Sequence, residues 1–209
     1  MRASFRIVSL LILLLSKAEG VTAKVHVITF GKWMNVSVVG GDEKAASVKT
    51  RALVIDGKVK EYMLGAPHEV TERLFVVRRV FRLNDSLPEE AIPQWQWQRG
   101  GWVMVDRNTG RVSPMNLPEF DVAVSAVSWY RDYAAYCGVG EDGKKSYAIV
   151  AQLGRRKPVL RKALAEVSID GADSACPAPV WQRGPTRVSF EPEEARSRRL
   201  RYAGTWWMW

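Results

Sequence analysis

Runs of Val, Ile, Tyr, Trp and Phe recur along the chain, separated by Gly, Asp, Asn and Pro. That punctuation predicts an all-β protein. A first strand is expected over Val25 to Phe30 and a second over Asn35 to Val39, stopped by Gly40-Gly41. Ser47 to Ile55 and Lys58 to Leu64 flank Asp56-Gly57. Asp-Gly between two such runs predicts a hairpin, because both central residues of a type I′ turn need positive φ. Leu74 to Leu83 is a long strand candidate ended by Asn84-Asp85, with Phe75, Val77, Phe81 and Leu83 alternating around Arg79. A second hairpin is signalled by Gly101 to Asp106 and Arg111 to Ser113 around Asn108-Thr109-Gly110.

The stretch from Phe120 to Leu164 is the most regular. Strands are expected over Val122–Trp129, Tyr133–Val139, Ser146–Leu153 and Pro158–Leu164, with turns at Tyr130-Arg131-Asp132, Glu141 to Lys144 and Gly154 to Lys157. Helix signals are scarce. Pro192-Glu193-Glu194 ahead of Arg196, Arg198, Arg199 and Arg201 places acids first and bases last, which predicts at most one short C-terminal helix near 192–201. The same residues could instead form a basic edge strand. The fold class expected is all-β, an antiparallel meander that is propeller-like or a β-sandwich.

Four short meandering strands in succession resemble one blade of a β-propeller of the WD-repeat type over residues 120–164, without the Gly-His and Trp-Asp pairs of that repeat. The tetrapeptide Trp-Gln-Arg-Gly, at Trp97–Gly100 and again at Trp181–Gly184, is a further hint of repetition.

Residues 1–23 carry the pattern of a secretory signal peptide: Arg2 and Arg6, an apolar run from Ile7 to Leu15 broken by Ser9, and Val21-Thr22-Ala23 as a small-residue cleavage site. The expected mature chain is a single exported β-rich domain over 24–209, secreted or periplasmic. The whole chain has 31 Lys+Arg and 22 Asp+Glu, net +9. Removing Arg2, Arg6 and Lys17 with Glu19 leaves 28 and 21, or +7, so the basic character belongs to the mature domain. Export also changes the reading of the two cysteines. Outside the cytoplasm a Cys137–Cys176 disulfide would persist and would contribute on the order of 3 to 4 kcal/mol, two buried thiols being the alternative.

Catalytic chemistry finds little support. The only histidines are His26, inside a strand candidate, and His68, beside Pro67 in an expected surface loop; no Gly-x-Ser-x-Gly elbow is present. Glu89-Glu90 and Glu193-Glu194 sit in polar, proline-bounded stretches and read as solvated charges. Gly138-Val139-Gly140 reads as a turn. No metal site and no cofactor are expected, since two His and two Cys are too few for a zinc site without carboxylates.

Binding has more to stand on. In Gln94-Trp95-Gln96-Trp97-Gln98-Arg99 the aromatic and polar residues alternate, so on a strand Trp95 and Trp97 share a face. Trp95, Trp97, Arg99 and Trp102 are the candidate ligand-binding residues, with core filling as the competing role for the indoles. A protein, peptide or glycan is the partner this suggests. The basic residues are spread over turns such as Arg155-Arg156-Lys157 and do not form the stripe expected for nucleic acid. The C-terminal Gly204, Trp207 and Trp209 resemble the closing strand of an outer-membrane barrel, but Arg79 in the longest strand disfavours membrane insertion. The function expected is an exported non-catalytic binding or structural module. A secreted or periplasmic hydrolase and a small outer-membrane β-barrel are the alternatives.

Overall fold

A computed structural model describes residues 25–39, 45–89, 91–141, 145–166, 178–190 and 204–207. Among them every regular element is a strand. The region expected to hold a helix, 192–201, lies outside the described residues.

The first seven strands are β1 (Ile28–Phe30), β2 (Met34–Val39), β3 (Ala45–Ile55), β4 (Lys58–Glu69), β5 (Leu74–Asn84), β6 (Trp95–Asp106) and β7 (Arg111–Pro114). They share one sheet of order β1-β3-β2-β6-β5-β4, with β7 on β6 and a further pairing of β3 with β4. That extra pairing makes the path β2-β3-β4-β5-β6 return on itself, as a ring of five strands. Strands β2 to β6 run up and down in succession, so the first and fifth point the same way. The closing contact, Val38 against Trp97, is accordingly parallel.

Both expected hairpins are present. Ile55 pairs with Lys58 across Asp56 and Gly57, whose φ angles of 52° and 75° are those of a type I′ turn. Asp106 pairs with Arg111 across a loop ending at Gly110, with φ 61°. A Cβ at Gly110 would stand 2.7 Å from the His26 ring, so the glycine is needed for both its backbone angle and its bareness.

Alternation along these strands builds two cores on opposite faces of the sheet. Leu53, Ile55, Met63, Phe75, Val77, Val103 and Val105 form one, closed by Ile28 of β1 and Val112 of β7. Tyr62, Leu64 and Val80, which point the other way on β4 and β5, join Val36, Val38, Val48 and Trp97 in the second.

The remaining strands form two sheets. β8 (Ser128–Tyr130), β9 (Tyr133–Val139), β10 (Lys145–Gln152) and β11 (Leu160–Glu166) make an antiparallel meander of order β11-β10-β9-β8. β12 (Val180–Arg183), β13 (Thr186–Phe190) and β14 (Gly204–Trp207) make a three-stranded antiparallel sheet. The two sheets pack face to face through Ala135, Cys137, Ala148, Val150, Val188 and Phe190. The far face of the meander, with Tyr136 and Ile149, is covered by Leu117, Phe120 and Val127. Burial on both faces is why β9 reads as a nearly continuous apolar run.

Three expectations are corrected, and the repeated tetrapeptide falls at two unlike places. Val122–Trp129 is not a full strand, because the Asp121 carboxylate accepts hydrogen bonds from the amides of Ala123 and Val124 at 2.7 and 3.2 Å and winds the chain into a turn; only Ser128–Tyr130 pairs. Gly138 lies inside β9, where the backbone of Glu119 approaches too closely for a side chain. His68 is on β4 beyond a bulge, not in a loop. The two Trp-Gln-Arg-Gly copies occupy unlike places, since Gly100 lies within β6 and Gly184 begins the turn after β12 with a cis peptide bond to Pro185.

Candidate ligand-binding face

β6 runs through Trp95 to Asp106 without a break, although Gly100-Gly101 divides the sequence in the middle. Arg78 and Val80 of β5 face Trp102 and Arg99, so two steps on β5 oppose three on β6 and a bulge forms at the glycine pair. Gly100 is buried, and a Cβ there would stand 2.5 Å from Cγ of Arg79. The bulge resets the alternation. Asn84, Arg82, Val80 and Arg78 of β5 stand opposite Trp95, Trp97, Arg99 and Trp102 respectively. All four sequence-chosen residues of β6 therefore project from one face.

That face is not one uniform surface. Trp95 is 54% exposed. Trp97 is half-buried in the second core, edge-on to Tyr62 at 5.0 Å, where it fills the closure of the five-strand ring. Trp102 is half-buried against the meander sheet, edge-on to Trp129 at 5.2 Å. The β6 indoles thus divide between the two roles, one open and two packed.

Arg82, absent from the sequence-based candidates, completes the open end. Its guanidinium carbon lies 5.4 Å from the Trp95 ring centre and 5.6 Å from that of Trp97. The period-two series Arg78, Val80, Arg82 in β5 was the signal that could have found it. Arg78 turns instead to the chain covering the meander, donating to the carbonyls of Val122 and Ser125 at 2.6 and 3.5 Å. Burial, and then the like charge of Arg99, pull the Arg78 pKa below its ordinary value. Arg82 and Arg99 lack a carboxylate partner among the described residues, whereas Arg73, Arg79, Arg107 and Arg161 pair with Asp106, Glu61, Glu69 and Glu119.

Both histidines have structural partners. His26 Nδ1 lies 2.8 Å from the Asp56 carboxylate, whose other oxygen accepts the Val27 amide and so pins the chain entering β1 to the first hairpin. His68 stacks on Trp129 at 5.5 Å, and its Nε2 donates to the Arg131 carbonyl at 2.7 Å. No hydroxyl or thiol bonds to either ring among the described residues. Nor do three or more His, Cys, Asp or Glu side chains converge there.

Cys137 is nearly buried on β9, against the three-stranded sheet. Cys176, its expected partner, lies outside the described residues, as do Glu90, Glu193 and Glu194. Glu89 and the Arg155-Arg156-Lys157 turn are exposed. The described strands are divided among three sheets, and none of the described residues forms a helix long and apolar enough to cross a membrane. The chain matches no protein-family model, no curated protein and no solved structure.

Proposed function

We propose that this chain is an exported, non-catalytic binding module whose ligand face is the open end of β5 and β6, built from Trp95 and Arg82, with Arg99 farther along the same face beyond Trp97, while Trp97 and Trp102 hold the platform in place. The observation that carries the reading is a large indole left more than half exposed next to a guanidinium that no carboxylate among the described residues neutralises. An exposed aromatic ring, with only two side-chain torsions to fix, offers contact area at little entropic cost, which is what a recognition surface needs. Both imidazoles being engaged with structural partners favours binding over a hydrolase. The test is a panel of glycans and peptides presented to the native protein and to Trp95→Ala. Binding that disappears in the variant supports the reading, and hydrolytic turnover of any panel member refutes its non-catalytic part.

Export and the disulfide belong to the same proposal. They are supported by the signal-peptide pattern of residues 1–23 and by a Cys137 thiol that is not free. Intact mass of the secreted or periplasmic protein should place the N-terminus at Lys24, and alkylation before and after reduction should find no thiol and then two. The likeness of residues 120–164 to a propeller blade is supported only by the consecutive order of their strands.

A further inference from the structure

We propose that the open end of β5 and β6 binds an anionic glycan: a sugar ring stacks on the Trp95 indole, and its carboxylate or sulfate group accepts hydrogen bonds from the free edge of the Arg82 guanidinium, with Arg99 supplying a second positive charge. This rests on the reading of that end of the sheet as the ligand face.

Four other arginines, on strands or in the turns beside them, pair with Asp106, Glu61, Glu69 and Glu119. Arg82 is held differently, by the rings of Trp95 and Trp97. A cation–π contact uses the charge of a guanidinium and not its N–H donors, which remain available to an oxyanion. Asp85, an acid adjoining this end, accepts a hydrogen bond from the side-chain amide of Gln96 at 2.9 Å, and among the described residues no carboxylate forms an ion pair with Arg82. Arg99 faces Val80 two residues from Trp97 and is close enough to Arg78 to lower its pKa, so positive charge accumulates along the face.

The aromatic arithmetic selects the ligand class. Binding single-stranded nucleic acid relies on several rings along a groove, each stacking a base. Of the three indoles on this face, Trp97 is committed to Tyr62 and Trp102 to Trp129, which leaves Trp95 as the open one. A single open ring on this face, beside a guanidinium with no carboxylate partner among the described residues, suits one sugar unit and its acidic substituent.

The full mature chain, titrated at low ionic strength while its tryptophan fluorescence is followed, tests the inference with four probes: heparin as the sulfated glycan, polygalacturonate as the carboxylated one, neutral dextran, and an oligothymidylate. Saturable quenching by heparin or polygalacturonate is expected, lost in Trp95→Ala and weakened about tenfold in Arg82→Gln, with partial rescue in Arg82→Lys, which keeps the charge but not the fork. Added salt should weaken the wild-type complex more than that of Arg82→Gln. Both variants change exposed side chains, and unaltered circular dichroism would exclude misfolding. Dextran binding that needs Trp95 but is indifferent to Arg82 overturns the anionic class and leaves the ligand face standing. Tighter binding of the oligothymidylate, or no binding by either acidic glycan, likewise overturns the class. Glycan binding unchanged in both Trp95→Ala and Arg82→Gln overturns the ligand face as well.

Discussion

Replacing Trp97 and Trp95 one at a time by alanine separates the two jobs that tryptophan does in this protein. The indoles are two residues apart on the same face of β6, and both approach Arg82. Trp97 lies in the core with Val36, Val38, Val80 and Leu64, packed edge-on to Tyr62 at 5.0 Å and 82°. A half-buried indole that loses about 130 Å² of contact surface, at about 25 cal/mol/Å², forfeits about 3 kcal/mol, and the edge-on ring pair adds about 1 kcal/mol. Trp95→Ala removes a ring that is 54% exposed and an Arg82 contact in water, for a cost of about 0.5 to 1 kcal/mol. Urea unfolding of the protein, followed by far-ultraviolet circular dichroism, measures both. The expected result is a loss for Trp97→Ala at least about 2 kcal/mol larger than for Trp95→Ala. A Tyr62→Leu, Trp97→Ala double-mutant cycle should return a coupling of about 1 kcal/mol. Equal losses from the two single variants would refute the assignment of Trp97 to the core and, with it, of Trp95 to the open face.

Three further outcomes follow from the structure. Arg107, hydrogen-bonded to Glu69, and Arg73, hydrogen-bonded to Asp106, hold those carboxyls below their usual range; such groups favour the fold above about pH 4, and the benefit fades as pH falls through the depressed values. Arg73→Gln should therefore raise the pH midpoint of acid unfolding in near-ultraviolet circular dichroism, and an unchanged midpoint would count against the Asp106 contact. Gly110→Ala places a Cβ at positive φ and against the His26 ring, at an expected cost of about 1 to 3 kcal/mol read as a lower Tm. Arg78→Ala strips the donors from the Val122 and Ser125 carbonyls, so hydrogen exchange over residues 121–127 should accelerate more than exchange in β3.

What could be read from the residues alone followed from how local its cause was. Asp56-Gly57 and Asn108-Thr109-Gly110 announced their hairpins because positive φ is a property of two or three residues. The meander was legible in its second, third and fourth strands for the same reason, its turns being short and polar. The first strand failed because a single carboxylate, Asp121, captured two amides and diverted the chain. β4 outran its expected end at Leu64, since Gly65, at φ 67°, and Pro67 sit in the bulge between Leu64 and His68 and do not stop the strand. At Gly100-Gly101 the same ambiguity hid a bulge in the middle of β6 and, with it, the common face of Trp95, Trp97, Arg99 and Trp102. Arg82 escaped notice because its value to the site depends on the strand across from it.

The closing pair of the five-strand ring joins segments that are distant along the chain. Every other junction in the ring can zip outward from a connection between successive strands, whereas Val38 and Trp97 must wait until three intervening strands are laid down. The seam should therefore be the ring's last junction to form and its first to open. The amides around Val38 and Trp97 should exchange through an opening that costs less than global unfolding. Since Trp95 lies two residues from that seam, the order of the proposed recognition surface depends on closure, and a ligand seated there should slow the seam's exchange from a distance.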